Sequence, residues 1–209
     1  MCHVYNYKNM ENNEKTMTPE ESLQIIQKAI LHSRKNLRES SFYYLLWGWV
    51  LLFASILCYL VLWYFLKREM YEGLYLKALA SWIIPIVIGF IIQWIYNSRN
   101  QRHDQIRTHI DRYLGSLWVA AGLVFAIMVI ISYILGVYPT PFILAVMGLA
   151  TFISGMIVRF NPLMFGGVIF VLASVISAFV PGIHELIVFA VSIVLGYLIP
   201  GYMLKMSKS

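Results

Sequence analysis

Apolar positions dominate this chain outside an N-terminal arm and a few short polar breaks. No Asp, Glu, Lys, Arg or His falls between Tyr113 and Val158, a run of 46 residues. A transmembrane helix takes about 20 apolar residues to cross roughly 30 Å of hydrocarbon. This run therefore holds two crossings, with Gly136-Val137-Tyr138-Pro139-Thr140-Pro141 as the turn between them. The pattern repeats along the rest of the chain and predicts six spans, at 42–66, 78–97, 114–135, 142–158, 162–180 and 186–204. The fourth is short at 17 residues, and a hairpin that only dips into the membrane is the alternative there. Asn161-Pro162 reads as a cap followed by the first helical residue of the fifth span. Pro85, inside the second span, has no N–H for the carbonyl of Ser81, which predicts a kink.

The arm has a different pattern. Residues 1–17 are polar, with Asn6, Asn9, Asn12 and Asn13, and are expected to be a disordered tail. Met17 is a second candidate start of translation. Thr18-Pro19-Glu20-Glu21 combines a capping hydroxyl, a proline at the first helical position and a capping-box glutamate. Over 18–40, Leu23, Ile26, Ile30 and Leu37 recur at helical spacing, with Gln24, Lys28 and Lys35 on the other side, so an amphipathic helix is predicted. Arg34, Lys35 and Arg38 end it next to the membrane, where cations suit both a helix C-terminus and anionic headgroups. In the 97–112 loop, Ile106, Ile110 and Tyr113 share helical spacing. Arg107 lies three residues from Asp104 and four from Asp111, so this loop too is expected to be helical. The predicted fold class is an all-α membrane protein with six transmembrane helices and an N-terminal cytoplasmic amphipathic helix.

Composition agrees. Sixty per cent of residues are hydrophobic and 12% are charged, against about 25% charged in soluble domains. The net charge of +6 comes without any groove-reading motif, which excludes nucleic acid as the expected partner. Its placement is more telling. With six crossings, 13 Lys and Arg residues fall on the side of the two termini and 3 on the other, so both termini are expected in the cytoplasm. Aromatic belts follow the same division: Tyr43, Tyr44, Trp47, Trp49, Trp94, Tyr96, Tyr113, Trp118 and Tyr202 toward one face, and Tyr59, Trp63, Tyr64, Tyr71, Tyr75, Trp82, Tyr133 and Tyr138 toward the other. Cys2 and Cys58 do not form a disulfide framework. No signal peptide precedes the first span, which is expected to act as its own insertion signal.

Candidate chemistry is sparse. No charged side chain is expected in the middle of a span, and such charges are the usual marks of proton relays and ion coupling. His103, Asp104, His109 and Asp111 lack the three- or four-residue spacing of helical metal ligands, so a solvated loop is expected rather than a metal site. His184-Glu185 lies in the last external turn. The two are adjacent and do not face one another, and Glu185 reads as an early-turn acid favoured by the helix dipole. Arg159 is expected to snorkel to headgroups or to a cytoplasmic carboxylate. Gln93, Ser81 and Thr151 are the polar residues that either line a cavity or bridge helices. Small residues recur four apart at Gly122/Ala126, Ala150/Ser154, Thr151/Gly155, Ala173/Ser177, Ser174/Ala178 and Ser192/Gly196. Such rows serve packing within the chain or an interface between copies in a homo-oligomer. No catalytic residue, cofactor or metal is assigned, because no phosphate-cradling loop, nucleophile elbow or zinc signature is present.

Three stretches, Ser41-Phe42-Tyr43-Tyr44-Leu45-Leu46-Trp47-Gly48-Trp49, Arg159-Phe160-Asn161-Pro162-Leu163 with Gly166-Gly167, and Leu198-Ile199-Pro200-Gly201-Tyr202, together with the capped arm from Met17, resemble a family of small bacterial six-helix membrane proteins. The likeness covers most of 17–205. It implies a bacterial cytoplasmic membrane and one whole-chain unit, and it transfers no activity, ligand or catalytic role. Three function classes remain: a non-catalytic scaffold or sensor whose arm meets a cytoplasmic protein partner, a small transporter or channel not coupled to protons, and a membrane enzyme acting on lipid.

Overall fold

The computed structural model describes residues 19–100, 109–180 and 182–206, with side chains from residue 41 except at 100 and 109–111. Among them every regular element is helical. The helices are α1 (Pro19–Lys67), α2 (Leu74–Asn100), α3 (His109–Leu135), α4 (Thr140–Val158), α5 (Asn161–Phe179), α6 (Glu185–Ile193) and α7 (Ile199–Met206). A short 3-10 turn, Gly182–His184, leads into α6, and a π-helical segment, Val194–Leu198, joins α6 to α7. Residues 1–36 and 37–209 form separate units, and the first is helical from Pro19. The tail at 1–17, the cap at Thr18 and the side chains of Leu23, Ile26, Ile30, Arg34, Lys35, Leu37 and Arg38 lie outside the described residues. So do those of His103, Asp104, Arg107, His109 and Asp111.

Six helical segments are long and apolar enough to cross a membrane: Ser41–Lys67, Leu74–Arg99, Arg112–Leu135, Thr140–Val158, Asn161–Phe179 and Gly182–Met206. Each matches a predicted span, with ends shifted by a few residues. The fourth gains Thr140 and Pro141 and reaches 19 residues. At 1.5 Å per residue it is about 28 Å long, enough for a full crossing. Asn161 is the first residue of α5 rather than its cap, which falls at Phe160 with no side-chain bond. α2 runs through Pro85 as a single helix.

Three helices end in the same way. The N–H groups of Met70, Val137 and Phe160 bond back five residues to Phe65, Ser132 and Gly155, at 3.1, 3.0 and 2.9 Å. The preceding residues, Glu69, Gly136 and Arg159, hold left-handed φ values of 54, 66 and 54°. This is the Schellman termination, which satisfies carbonyls a helix end would otherwise leave bare. Gly136 adopts it freely, whereas Arg159 and Glu69 carry roughly 1 kcal/mol of strain each.

Neighbouring helices run antiparallel. α1 meets α2 through Tyr43–Asn97, Trp47–Gln93 and Val50–Gly89. α4 meets α5 where the backbones at Gly148 and Gly167 approach, and again at Gly155 against Met164. The sixth span lies against α5 at Gly196 and Gly166, and against α1 at Leu198 and Gly48. The core is formed by Tyr44, Leu144, Met147, Leu163, Phe170, Ala173, Phe189, Ile193, Tyr197 and Leu204. Of the six spans, the last is the most enclosed and the third the least. The outer faces carry large apolar side chains such as Leu123, Ile130 and Ile134 of α3. In water such faces would aggregate; in a bilayer they are simply lipid-facing.

The small-residue rows mostly face inward. Ala150, Thr151, Ser154, Gly155, Ala173, Ser174, Ser177, Ser192 and Gly196 are buried within this chain, while Gly122, Ala126 and Ala178 are exposed.

Candidate functional site

Buried polar side chains occur along the whole bundle, and at two levels they meet across helices. The first is at the end where α4 and α6 begin. Gly182, at φ 66°, turns the chain into the 3-10 turn, and Glu185 follows in the first turn of α6. Its side chain is 4% exposed. The Thr140 hydroxyl, at the start of α4, donates to Glu185 Oε1 at 2.9 Å. From α1, the buried Cys58 thiol lies within electrostatic range of the carboxylate and beside the Trp82 side chain of α2. His184 is exposed, and its ring lies 6.1 Å from that of Tyr59.

This corrects two sequence expectations. The last span begins at Gly182 rather than at 186, so it contains His184 and Glu185. Glu185 is an early-turn acid of α6, as expected, but it is enclosed in the bundle rather than placed in a turn outside the span. A hydropathy window stops at a charged residue, so the residue that marked the expected boundary is the one the fold draws inside. Its spacing from Thr140 in sequence carried no signal of their pairing.

The second level is deeper. Tyr44 of α1 and Tyr197 of the π segment have ring centroids 5.8 Å apart. Tyr197 also packs edge-on to Phe170 at 5.1 Å. The Tyr44 hydroxyl neighbours that of Ser154, which itself donates to the Ala150 carbonyl at 2.7 Å. Tyr197 reaches toward the Thr151 hydroxyl, though that fully enclosed group makes no bond of full hydrogen-bond geometry. Tyr44 is therefore a core residue, not part of an aromatic belt. Trp49, Trp94, Tyr113 and Tyr202 are exposed as belt residues should be.

The π segment has a local cause. Pro200 offers no N–H to the carbonyl of Gly196, and the backbone takes the wider spacing, with the Ile199 N–H bonded to the Val194 carbonyl five residues back. The Gly196 carbonyl faces Gly166 of α5. Such π turns interrupt helices frequently at functional positions.

Along α4, Thr140 and Thr151 are separated by about 16 Å. Leu144 and Met147 lie between them on α4, and Phe189 and Ile193 lie between Glu185 and Tyr197 on the sixth span. All four are at most 3% exposed and belong to one packed cluster.

The three polar residues singled out in the sequence do not line one wall. The Trp47 indole N–H donates to Gln93 Oε1 at 2.7 Å, joining α1 to α2. The Ser81 hydroxyl donates to the Lys77 carbonyl of its own helix at 2.9 Å. Gln93 lies about 18 Å further along α2. Thr151 is on α4 beside Tyr197. Among the described residues no three His, Cys, Asp or Glu side chains gather as a metal ion would require.

The fold and its enclosed polar groups define a multi-pass α-helical membrane protein. The chain matches no protein-family model, no curated protein and no solved structure.

Proposed function

We propose that this protein is a non-catalytic scaffold or sensor of the bacterial cytoplasmic membrane, with both termini in the cytoplasm and the 18–40 arm meeting a cytoplasmic partner. The observation that carries the reading is the packed section between the two polar levels. Leu144, Met147, Phe189 and Ile193 fill it from α4 and α6. The buried hydroxyls at this depth, Ser55 and Ser192, are turned onto the carbonyls of Leu52 and Phe189 in their own helices, so this stretch is filled by packing side chains, which supports a packed bundle over an open polar route. The buried hydroxyls lie within the bundle rather than at a surface cleft where a lipid headgroup reacts. The lipid bilayer and the cytoplasmic partner are then the two things this protein meets.

A small transporter is the second reading, and Glu185 favours it. An enclosed carboxylate at the end of a span is the kind of group that ion coupling uses. The transporter expected from the sequence is one not coupled to protons, and vesicles containing the full chain and a trapped pH-sensitive dye test whether Glu185 adds that coupling. An imposed pH gradient should decay as it does in protein-free vesicles. Faster decay that is lost in Glu185→Gln would replace the scaffold reading with the transporter.

A further inference from the structure

We infer that the Glu185 carboxylate binds one positive charge, a proton or a monovalent metal cation, in a site closed by Thr140 at the end of the bundle where α4 and α6 begin. The carboxylate is almost wholly enclosed, and the Thr140 hydroxyl supplies its one hydrogen bond among the described residues. Thr140 thus holds one carboxylate oxygen, and the second is not among the enclosed unpaired atoms of the described residues, so it is the oxygen a cation reaches. An ion taken out of water without compensation costs several kcal/mol, so the surroundings must provide a counter-charge or the site must bind one.

The surroundings provide none. α1 presents the Cys58 thiol, with Trp82 of α2 beside that thiol, and α4 presents Thr140. His184 is exposed and turned to Tyr59, and adjacent helical positions do not face one another. Lys77, a cation of α2 at this end, sits 3.7 Å over the Phe65 ring and donates to the Glu72 carbonyl at 3.2 Å. No ion pair to Glu185 exists among the described residues. The N-terminus of α6 contributes only about half a charge. The deficit is one unit, which a proton or a sodium-sized ion fills. A divalent ion would leave an excess beside a single carboxylate. Glu185 lies in the first turn of its span, so the ion reaches it from the aqueous face at that end. The inference holds whether the bundle senses or transports.

The test is the thermal midpoint of the full chain in detergent, for wild type and Glu185→Gln. It is measured across pH in choline chloride, then at fixed pH with sodium or potassium replacing choline at constant ionic strength. The folded chain holds a cation that the unfolded chain releases, so the folded state binds more protons or metal and stability falls as that cation is withdrawn. Wild type should lose midpoint as pH rises if the ion is a proton, or gain it with sodium or potassium if the ion is a metal. Glu185→Gln, which keeps the shape and an acceptor for Thr140, should lose that response. Equal responses in both proteins would overturn the site. If the glutamine variant does not fold, the infrared carboxyl bands of wild type and Thr140→Val decide. A band of a protonated or cation-bound carboxyl that shifts on loss of the Thr140 hydroxyl supports the site, and identical bands overturn it.

Discussion

Gly166→Ala should cost about 3 kcal/mol of stability, the upper part of the usual range for overpacking. For a chain of this size that lowers the thermal midpoint in detergent by on the order of 10 °C. A Cβ at Gly166 would be pressed into the carbonyl oxygen of Gly196. Both sides of that contact are backbone, so no rotamer change relieves it. α5 and the π segment would have to separate, loosening Phe170 and Tyr197, which pack across the same crossing. Between membrane helices close packing is a main source of attraction, since lipid is as apolar as the core. Gly122→Ala is the control. A Cβ there meets nothing within 4 Å, and the variant should equal wild type or gain a few degrees from helix propensity. Equal midpoints for the two variants would refute the crossing.

Gln93→Leu should cost about 1 kcal/mol, within the range measured for interhelical hydrogen bonds in membranes, and lower the midpoint by about 2–4 °C. The Gln93 amide holds the Trp47 indole at 2.7 Å. Leucine fills similar space but leaves the indole N–H without its acceptor, and an unpaired donor in an apolar setting is costly. The same melting experiment tests whether Gln93 serves packing or a polar route. A clear loss fits the α1–α2 bridge, and an unchanged midpoint would contradict it.

The spans were legible because lipid leaves a crossing chain little choice. Every backbone group must be satisfied internally, so a long apolar run between breaks is a helix. The Gly136 turn was legible for a similar reason, since glycine reaches φ above zero without strain. Which side of each helix faces inward was far less legible. Core positions such as Leu144 and Phe170 and lipid-facing positions such as Leu123 and Ile130 are equally apolar, so the usual contrast between inside and outside is lost. The small-residue rows were the best remaining guide, and Gly148 to Gly167 and Gly166 to Gly196 show why: only glycine lets those backbones meet. Gly122 and Ala126 form the same pattern and face outward, so spacing alone did not separate a crossing from an exposed face. The polar levels were hidden for another reason. Tyr44 sits among aromatic residues that do form a belt, and Glu185 stood where a span was expected to begin. The π segment had a signal that spacing rules overlook, in Pro200 four residues beyond Gly196.

The central claim is six crossings with both ends of the chain on one side. Reporter fusions after Ser209 and within 137–141 measure it most directly. They should report opposite sides, with the Ser209 fusion in the cytoplasm, following the bias of 13 basic residues to 3. Both reporters on the same side of the membrane would contradict it.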